Sequence, residues 1–224
     1  MGHLVCPAVG LLGGYPLWDG PRFGQCPRST GQRLGECGVE WTAWLNDYFE
    51  RFAPAFAPDH HANLIAFKEL AEGIRDSGNK MMLAGNGASA SISSHGAVDF
   101  AKQAKVRSID FNEPNFITAY ANDYGYENWI ARAIECHGDD GDAVVLISAS
   151  GMSPNVVNAG KYARDRGLKL VTFTGKSPDN ALRQLGDVNF WMDSQAYNVV
   201  EAVHMLWLTT VIDMIVGRAE YSVN

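Results

Sequence analysis

From Glu40 onward the apolar residues of this chain follow two alternating rhythms. Trp41, Trp44, Leu45, Tyr48, Phe49 and Phe52 recur at intervals of three and four, the spacing of one face of an α-helix, here an aromatic one. Such a face must pack on something. A second helix is expected over residues 59–76, after Pro58 and before Gly78. The rhythm then shortens. Residues 81–84 form a compact apolar run that reads as a strand, followed by a glycine- and serine-rich stretch and a helix to about Ala104. Residues 106–111 suggest another strand, 117–121 a short helical piece and 126–136 a longer helix. Residues 143–147 are apolar without a break, as in a strand buried on both faces. The acidic stretch 137–142 before it reads as an exposed turn. A helix is expected from Pro154, whose missing N–H is no loss in a first turn, to Arg166. Strands over 168–174 and 188–192 follow, then a last helix over 196–216, apolar nearly all round and so expected to be buried.

Strands that alternate with helices imply an α/β fold, with a parallel sheet covered by helices on both faces. In such sheets ligands sit at the carboxyl ends of the strands. The loops after Leu83, Ile147 and Phe173 lie at that end.

The first 38 residues carry no such rhythm. They hold nine of the 23 glycines, four of the nine prolines and three of the four cysteines, a composition that cannot supply a packed core. Residues 1–38 are therefore expected to be an irregular extension and 39–224 the folded domain. The apolar part of the extension is broken by Pro7 and Pro16 and lacks a basic start, which makes it a poor signal peptide. A net charge of −7 argues against nucleic acid or an anionic membrane as partner. No uninterrupted apolar run is long enough to span a bilayer. Cys6, Cys26, Cys37 and Cys136 fit no zinc spacing and suggest no disulfide framework, so a reducing, cytoplasmic location is expected.

The candidate chemistry starts at Leu83–His95, LAGNGASASISSH. Gly85-Asn86-Gly87-Ala88-Ser89-Ala90 fits the dinucleotide fingerprint G-x-G-x-x-A, with Asp110 as the acidic residue that would end the next strand. That reading leaves a second loop unexplained. Ser148, Ser150 and Ser153 also follow a buried strand and precede a helix, repeating the pattern of Ser89, Ser91, Ser93 and Ser94. Helix N-termini offer unpaired N–H donors, and serine hydroxyls add more, so two such loops at one sheet edge suit one compact phosphorylated ligand. Taken singly, each serine could equally be a helix cap. His95 and Asp99 are spaced i, i+4 on the helix leaving the first loop, and Glu201 and His204 are spaced i, i+3 on the last helix. A carboxylate and a histidine on each of two helices can converge on a divalent metal such as zinc, or act as acid and base. Each histidine could also be an ordinary hydrogen-bonded core residue. His60 and His61, ahead of the second helix, are expected to be solvated.

Taken in order, Gly85-Asn86-Gly87-Ala88-Ser89 with His95 downstream, Asn122-Asp123-Tyr124-Gly125-Tyr126, Ile147-Ser148-Ala149-Ser150-Gly151-Met152-Ser153 and Thr174-Gly175-Lys176 resemble the sugar isomerase (SIS) domain. They resemble more closely the phosphoheptose isomerases, which convert sedoheptulose 7-phosphate to glycero-manno-heptose 7-phosphate. The likeness runs from about Trp41 to Val216. It implies a three-layer αβα sandwich with a five-stranded parallel sheet. It also implies a homotetramer with the N-terminal helices in a central bundle, and active sites between subunits. It assigns substrate binding to Asn86, Gly87, Ser89, Asn122, Asp123, Ser148, Ser150 and Ser153, with Ser89 and the three serines of the second loop on the phosphate. No nucleotide cofactor is implied.

The catalytic positions depart from the pattern. The family has a histidine and, four residues on, a glutamate that is base and metal ligand; here His95 is followed by Asp99, one methylene shorter. On the last helix the family has a glutamine, a histidine three residues later and a catalytic histidine eight after the glutamine. Those positions are Glu201, His204 and Thr209 here. Either His204 takes over the role, or the site works differently, or it performs no isomerisation. The expected activity is aldose–ketose isomerisation through an enediol(ate), with Asp99 or Glu201 moving the proton and His95, His204 or a zinc held by these four residues polarising the carbonyl. The rival is a non-catalytic phosphosugar-binding adaptor of the kind that binds a replication initiator. No helix-turn-helix segment precedes the fold, which disfavours a transcription regulator, and a dinucleotide-dependent oxidoreductase ranks third.

Overall fold

A computed structural model of the chain describes residues 39–222, so the expectation for residues 1–38 lies outside the described residues. Helix α1 is Trp41–Glu50, α2 is His61–Ser77 and strand β1 is Met81–Gly85. Then come α3, Ala88–Lys102; β2, Ser108–Asp110; α4, Pro114–Tyr124; and α5, Trp129–His137. β3 is Ala143–Ser148, α6 is Pro154–Asp165, β4 is Lys169–Gly175, β5 is Val188–Met192 and α7 is Tyr197–Val216.

All strand pairings are parallel, and the five strands run in the order β2-β1-β3-β4-β5. Side chains alternate across the sheet. Leu83, Val145, Ile147 and Phe173 join one core with Phe67 of α2, Phe100 of α3 and Trp207 of α7. Met82, Ala84, Val144, Leu146 and Leu170 join the other with Ile130 of α5 and Val156 of α6. This is the expected three-layer arrangement. At 25 cal/mol per Å² of apolar surface, each of these wholly buried large side chains stabilises the fold by roughly 2 kcal/mol.

The elements differ from the sequence reading mostly at their ends. The short piece expected at 117–121 is a full helix, because Pro114 opens it and the Glu113 carboxylate caps it by accepting from the Phe116 N–H at 2.9 Å. The helix expected from Tyr126 starts only at Trp129, since Gly125 (φ +82) ends α4 and residues 126–128 form a turn. The stretch 137–142 is not wholly an exposed turn. Asp142 is buried, and its carboxylate accepts from Lys80 Nζ at 2.6 Å and from the backbone N–H groups of Lys80 and Asp139. Burial alone would raise this carboxyl, but those bonds, with that from Asn79, hold it below the usual range. His60 is also not free in solvent. Its Nε2 lies 3.1 Å from the Pro54 carbonyl oxygen, and its ring packs on Trp207.

α7 is buried along one face, through Val199, Val200, Val203, His204, Trp207, Leu208, Val211 and Ile212. By length and composition alone (mean hydropathy 1.7) it could cross a membrane, although Glu201, His204 and Asp213 interrupt its apolar run. In this fold it is the central core helix of one layer. α1 has no buried residue. Tyr48 reaches the core, as does Phe52 just beyond the helix, while Trp41, Trp44, Leu45 and Phe49 stay exposed.

Candidate functional site

β1 and β3 are neighbours, but the chain leaves one toward β2 and the other toward β4. A crevice opens at such a reversal, at the carboxyl ends of the strands. Both signalled loops lie there. A side chain at Gly85 would begin 2.8 Å from the Ile147 carbonyl oxygen and 2.7 Å from Ser89 Cβ, so only glycine lets the first loop lie against β3.

Asn86 and Asn155 bridge the two loops with paired amides, each nitrogen 2.9 Å from the other's oxygen. The Tyr126 hydroxyl donates to Asn86 Oδ1 at 3.1 Å, which brings the segment after α4 to the same place. Asn122 and Asp123 are exposed at the end of α4 and bonded to each other at 2.9 Å.

The serine loop is shaped from within. Ser148 Oγ accepts from the Gly151 N–H at 3.2 Å, and Ser150 Oγ accepts from the Met152 N–H at 3.2 Å. A hydroxyl that accepts from the backbone still has a proton to donate. Ser153 is the N-cap residue of α6, yet its side chain makes no capping bond, and its Oγ stands 3.4 Å from Ser148 Oγ. Capping alone therefore does not account for Ser153. Ser89 is buried at the start of α3, on the opposite side of the crevice. Gly151 has φ +63, and any side chain there would collide with Asn180 Oδ1. Asn180 is buried, and the Leu182 N–H donates to the Gly151 carbonyl at 3.0 Å, so the segment between β4 and β5 braces the loop.

The candidates for proton transfer are brought together only in part. His95 Nε2 lies 3.1 Å from Asp99 Oδ2, with His95 exposed and Asp99 half-buried. Glu201 is half-buried in the first turns of α7. His204 is fully buried, with Nε2 3.0 Å from the Thr174 carbonyl oxygen and its ring against Phe173. Its Nδ1 has no hydrogen-bond partner among the described residues. Burial pushes its pKa down to about 4 against the opposing bond to Thr174, so the ring is neutral at pH 7 with Nε2–H as donor. Such a residue clamps α7 to β4 and does not face solvent. Among the described residues no three His, Cys, Asp or Glu side chains gather to hold a metal ion. With His204 enclosed and bonded to backbone, the four candidate ligands of one chain do not fit a bound zinc. Thr209 donates its hydroxyl to carbonyl oxygens of its own helix, at 2.9 Å to Met205 and 3.1 Å to Leu206.

The sequence did not signal Asn155 or Asn180, and it marked Tyr126 only as the last residue of the 122–126 motif. A buried asparagine early in a helix was the one available signal, since asparagine disfavours helix interiors unless its amide has a partner.

Comparison with known proteins gives a consistent picture. A family model described as the SIS domain matches residues 46–175. The phosphoheptose isomerase of Aliarcobacter butzleri is 33% identical over 144 residues, which cover 62% of this chain and 76% of that protein. That of Thermodesulfovibrio yellowstonii is 35% identical over 152 residues, covering 64% and 75%. Among solved structures, a phosphoheptose isomerase from Francisella tularensis superimposes with a TM-score of 0.72 at 23% identity, covering 79% of this chain and 98% of the other. At that identity the superposition speaks for the fold.

Proposed function

The chain belongs to the SIS-domain family, as a relative of the phosphoheptose isomerases, and from that premise we propose that it interconverts sedoheptulose 7-phosphate and D-glycero-D-manno-heptose 7-phosphate. The observation that carries this reading is the hydroxyl cluster of Ser148, Ser150 and Ser153 at the β1/β3 crevice, with a Ser153 hydroxyl that its helix does not use. In this reading the serine loop and Ser89 hold the phosphate. Asn86 and Gly87, with Asn122 and Asp123, meet the sugar hydroxyls. Binding energy from the unreactive phosphate orients the carbon chain.

Isomerisation needs a base to take the proton from the carbon beside the carbonyl and return it to the neighbouring carbon, and an acid to move the hydroxyl proton. The His95–Asp99 pair is best suited to begin this work, because its two groups are already within hydrogen-bond distance and reachable from solvent. Glu201 is the second carboxylate. His204 supports the site by fixing α7 to the Thr174 carbonyl. The exposed aromatic face of α1 supports assembly into a homotetramer through that helix. A cytoplasmic location and a domain start near residue 39 complete the proposal.

The test is an NMR assay of the purified protein with sedoheptulose 7-phosphate, with and without chelator. Appearance of the aldose, abolished by Asp99→Ala, is the expected result. Binding without turnover under every condition would sink the isomerase reading. The second reading, a phosphosugar-binding adaptor, would then take over; what favours it is Thr209, whose hydroxyl is bonded into its own helix where the family has a catalytic histidine.

A further inference from the structure

The end of β4 is fastened to the start of α7 by three consecutive contacts. The Thr174 carbonyl accepts from His204, Val200 lies 2.7 Å from where a side chain at Gly175 would begin, and Lys176 Nζ stands 3.4 Å from the centroid of the Tyr197 ring. Each step forward in β4 meets a residue one turn earlier in α7. The same strand end also touches the serine loop. Ser148 pairs in register with Thr174, and the Ala149 carbonyl oxygen lies 3.1 Å from the would-be side chain at Gly175. Two residues beyond that pair, Ser150 and Lys176 leave adjacent strand ends.

Lys176 holds an unusual backbone. Its φ is +58, one of two positive values among the described non-glycine residues, and its N–H donates to the Ser194 carbonyl at 3.2 Å. A lysine gains nothing by itself from the left-handed region, where asparagine or glycine fits with less strain. Strain of this kind is retained where the surrounding structure uses the position. Among the described residues no carboxylate pairs with the Lys176 ammonium, which rests on an aromatic face instead. The serine loop offers hydroxyl donors but no full positive charge. A phosphate monoester carries nearly two negative charges at neutral pH, and the protein as a whole carries −7.

We propose that Lys176 is the cation of the phosphate seat: its ammonium leaves the Tyr197 ring and binds the substrate phosphate beside Ser148, Ser150 and Ser153. The proposal rests on the reading of the serine loop as that seat. It is tested by calorimetric binding of inorganic phosphate and of sedoheptulose 7-phosphate, together with steady-state isomerisation, for the wild type, Lys176→Asn, Lys176→Gly and Lys176→Arg. Asparagine and glycine both accept the left-handed backbone, so charge is removed without new strain. Both ligands are expected to bind Lys176→Asn and Lys176→Gly about 10- to 100-fold more weakly, with KM rising in step and kcat within a few-fold. Lys176→Arg is expected to stay within a few-fold of wild type. Folded Asn and Gly variants that bind phosphate as tightly as wild type would overturn the proposal, even if wild type is an active isomerase. A wild type that binds both ligands without turnover, while the variants bind weakly, would end the isomerase reading and leave the role of Lys176 standing.

Discussion

Ser153 is the residue at which two roles separate. A serine that caps a helix loses about 1 kcal/mol of stability on conversion to alanine. Ser153 makes no capping bond, so Ser153→Ala is expected to leave the melting temperature within about 2 °C of wild type while raising KM for the phosphosugar about tenfold. Thermal melts and initial rates on one preparation check both halves. His204 behaves in the opposite way. Its pKa is lowered from 6.5 to about 4, so the neutral ring contributes stability that is fully present above pH 6.5 and is lost as pH falls toward 4. The loss is about 3 kcal/mol across that window, and His204→Gln, which keeps a donor for the Thr174 carbonyl, is expected to flatten it in urea titrations at stepped pH. The sequence shows a histidine and a carboxylate one helical turn apart. It does not show that the histidine points into the core, because α7 is apolar on nearly every side and its period marks no inner face.

At the scale of elements, the ends of the sheet have separate duties. The carboxyl ends of the strands carry the site, and the opposite end is tied by the Lys80–Asp142 pair, with Asp142 1% exposed and Lys80 12%. Asp142→Ala leaves Lys80 only the exposed Asp139 carboxylate, also 2.6 Å away, and takes the acceptor from the backbone N–H groups of Lys80 and Asp139, so it is expected to cost about 2–4 kcal/mol in equilibrium unfolding, with KM near wild type in the protein that remains folded. Local composition reads that segment as an exposed acidic turn, since three aspartates within four residues give no hint that the last turns inward against Lys80. α1 is the converse case. Its aromatic spacing is plain in the sequence, but a lone chain leaves Trp41 63% and Phe49 65% exposed. Replacing Trp44 and Phe49 together by aspartate is expected to lower the mass measured by light scattering. An unchanged mass would remove α1 from the assembly interface.

For the whole molecule, ligand binding and stability are linked. A ligand at one hundred times its dissociation constant stabilises the native state by about 2.7 kcal/mol, which is roughly 5–10 °C in melting temperature for a chain of this size. Sedoheptulose 7-phosphate is expected to give such a shift and sedoheptulose without phosphate almost none, if the serine loop is the main anchor. The comparison needs no turnover, so it reports on the seat whether or not the protein is a catalyst.

The alternation of apolar runs and helical stripes determined by itself that this is an α/β chain with its loops of interest at strand ends, because strand and helix periods are local properties of the backbone. The paired serine loops were legible for the same reason: each is a short segment between two readable elements. Only the tertiary structure decided that β3 lies beside β1, so that both loops share one crevice. It alone decided that Asn86 meets Asn155 across 69 positions of sequence, that His204 is enclosed while His95 and Asp99 remain open, and that Gly175, the residue before Lys176, lies against the serine loop at the Ala149 carbonyl. These depend on which faces are buried together, and burial is a property of the packed sheet and helices that no local period contains.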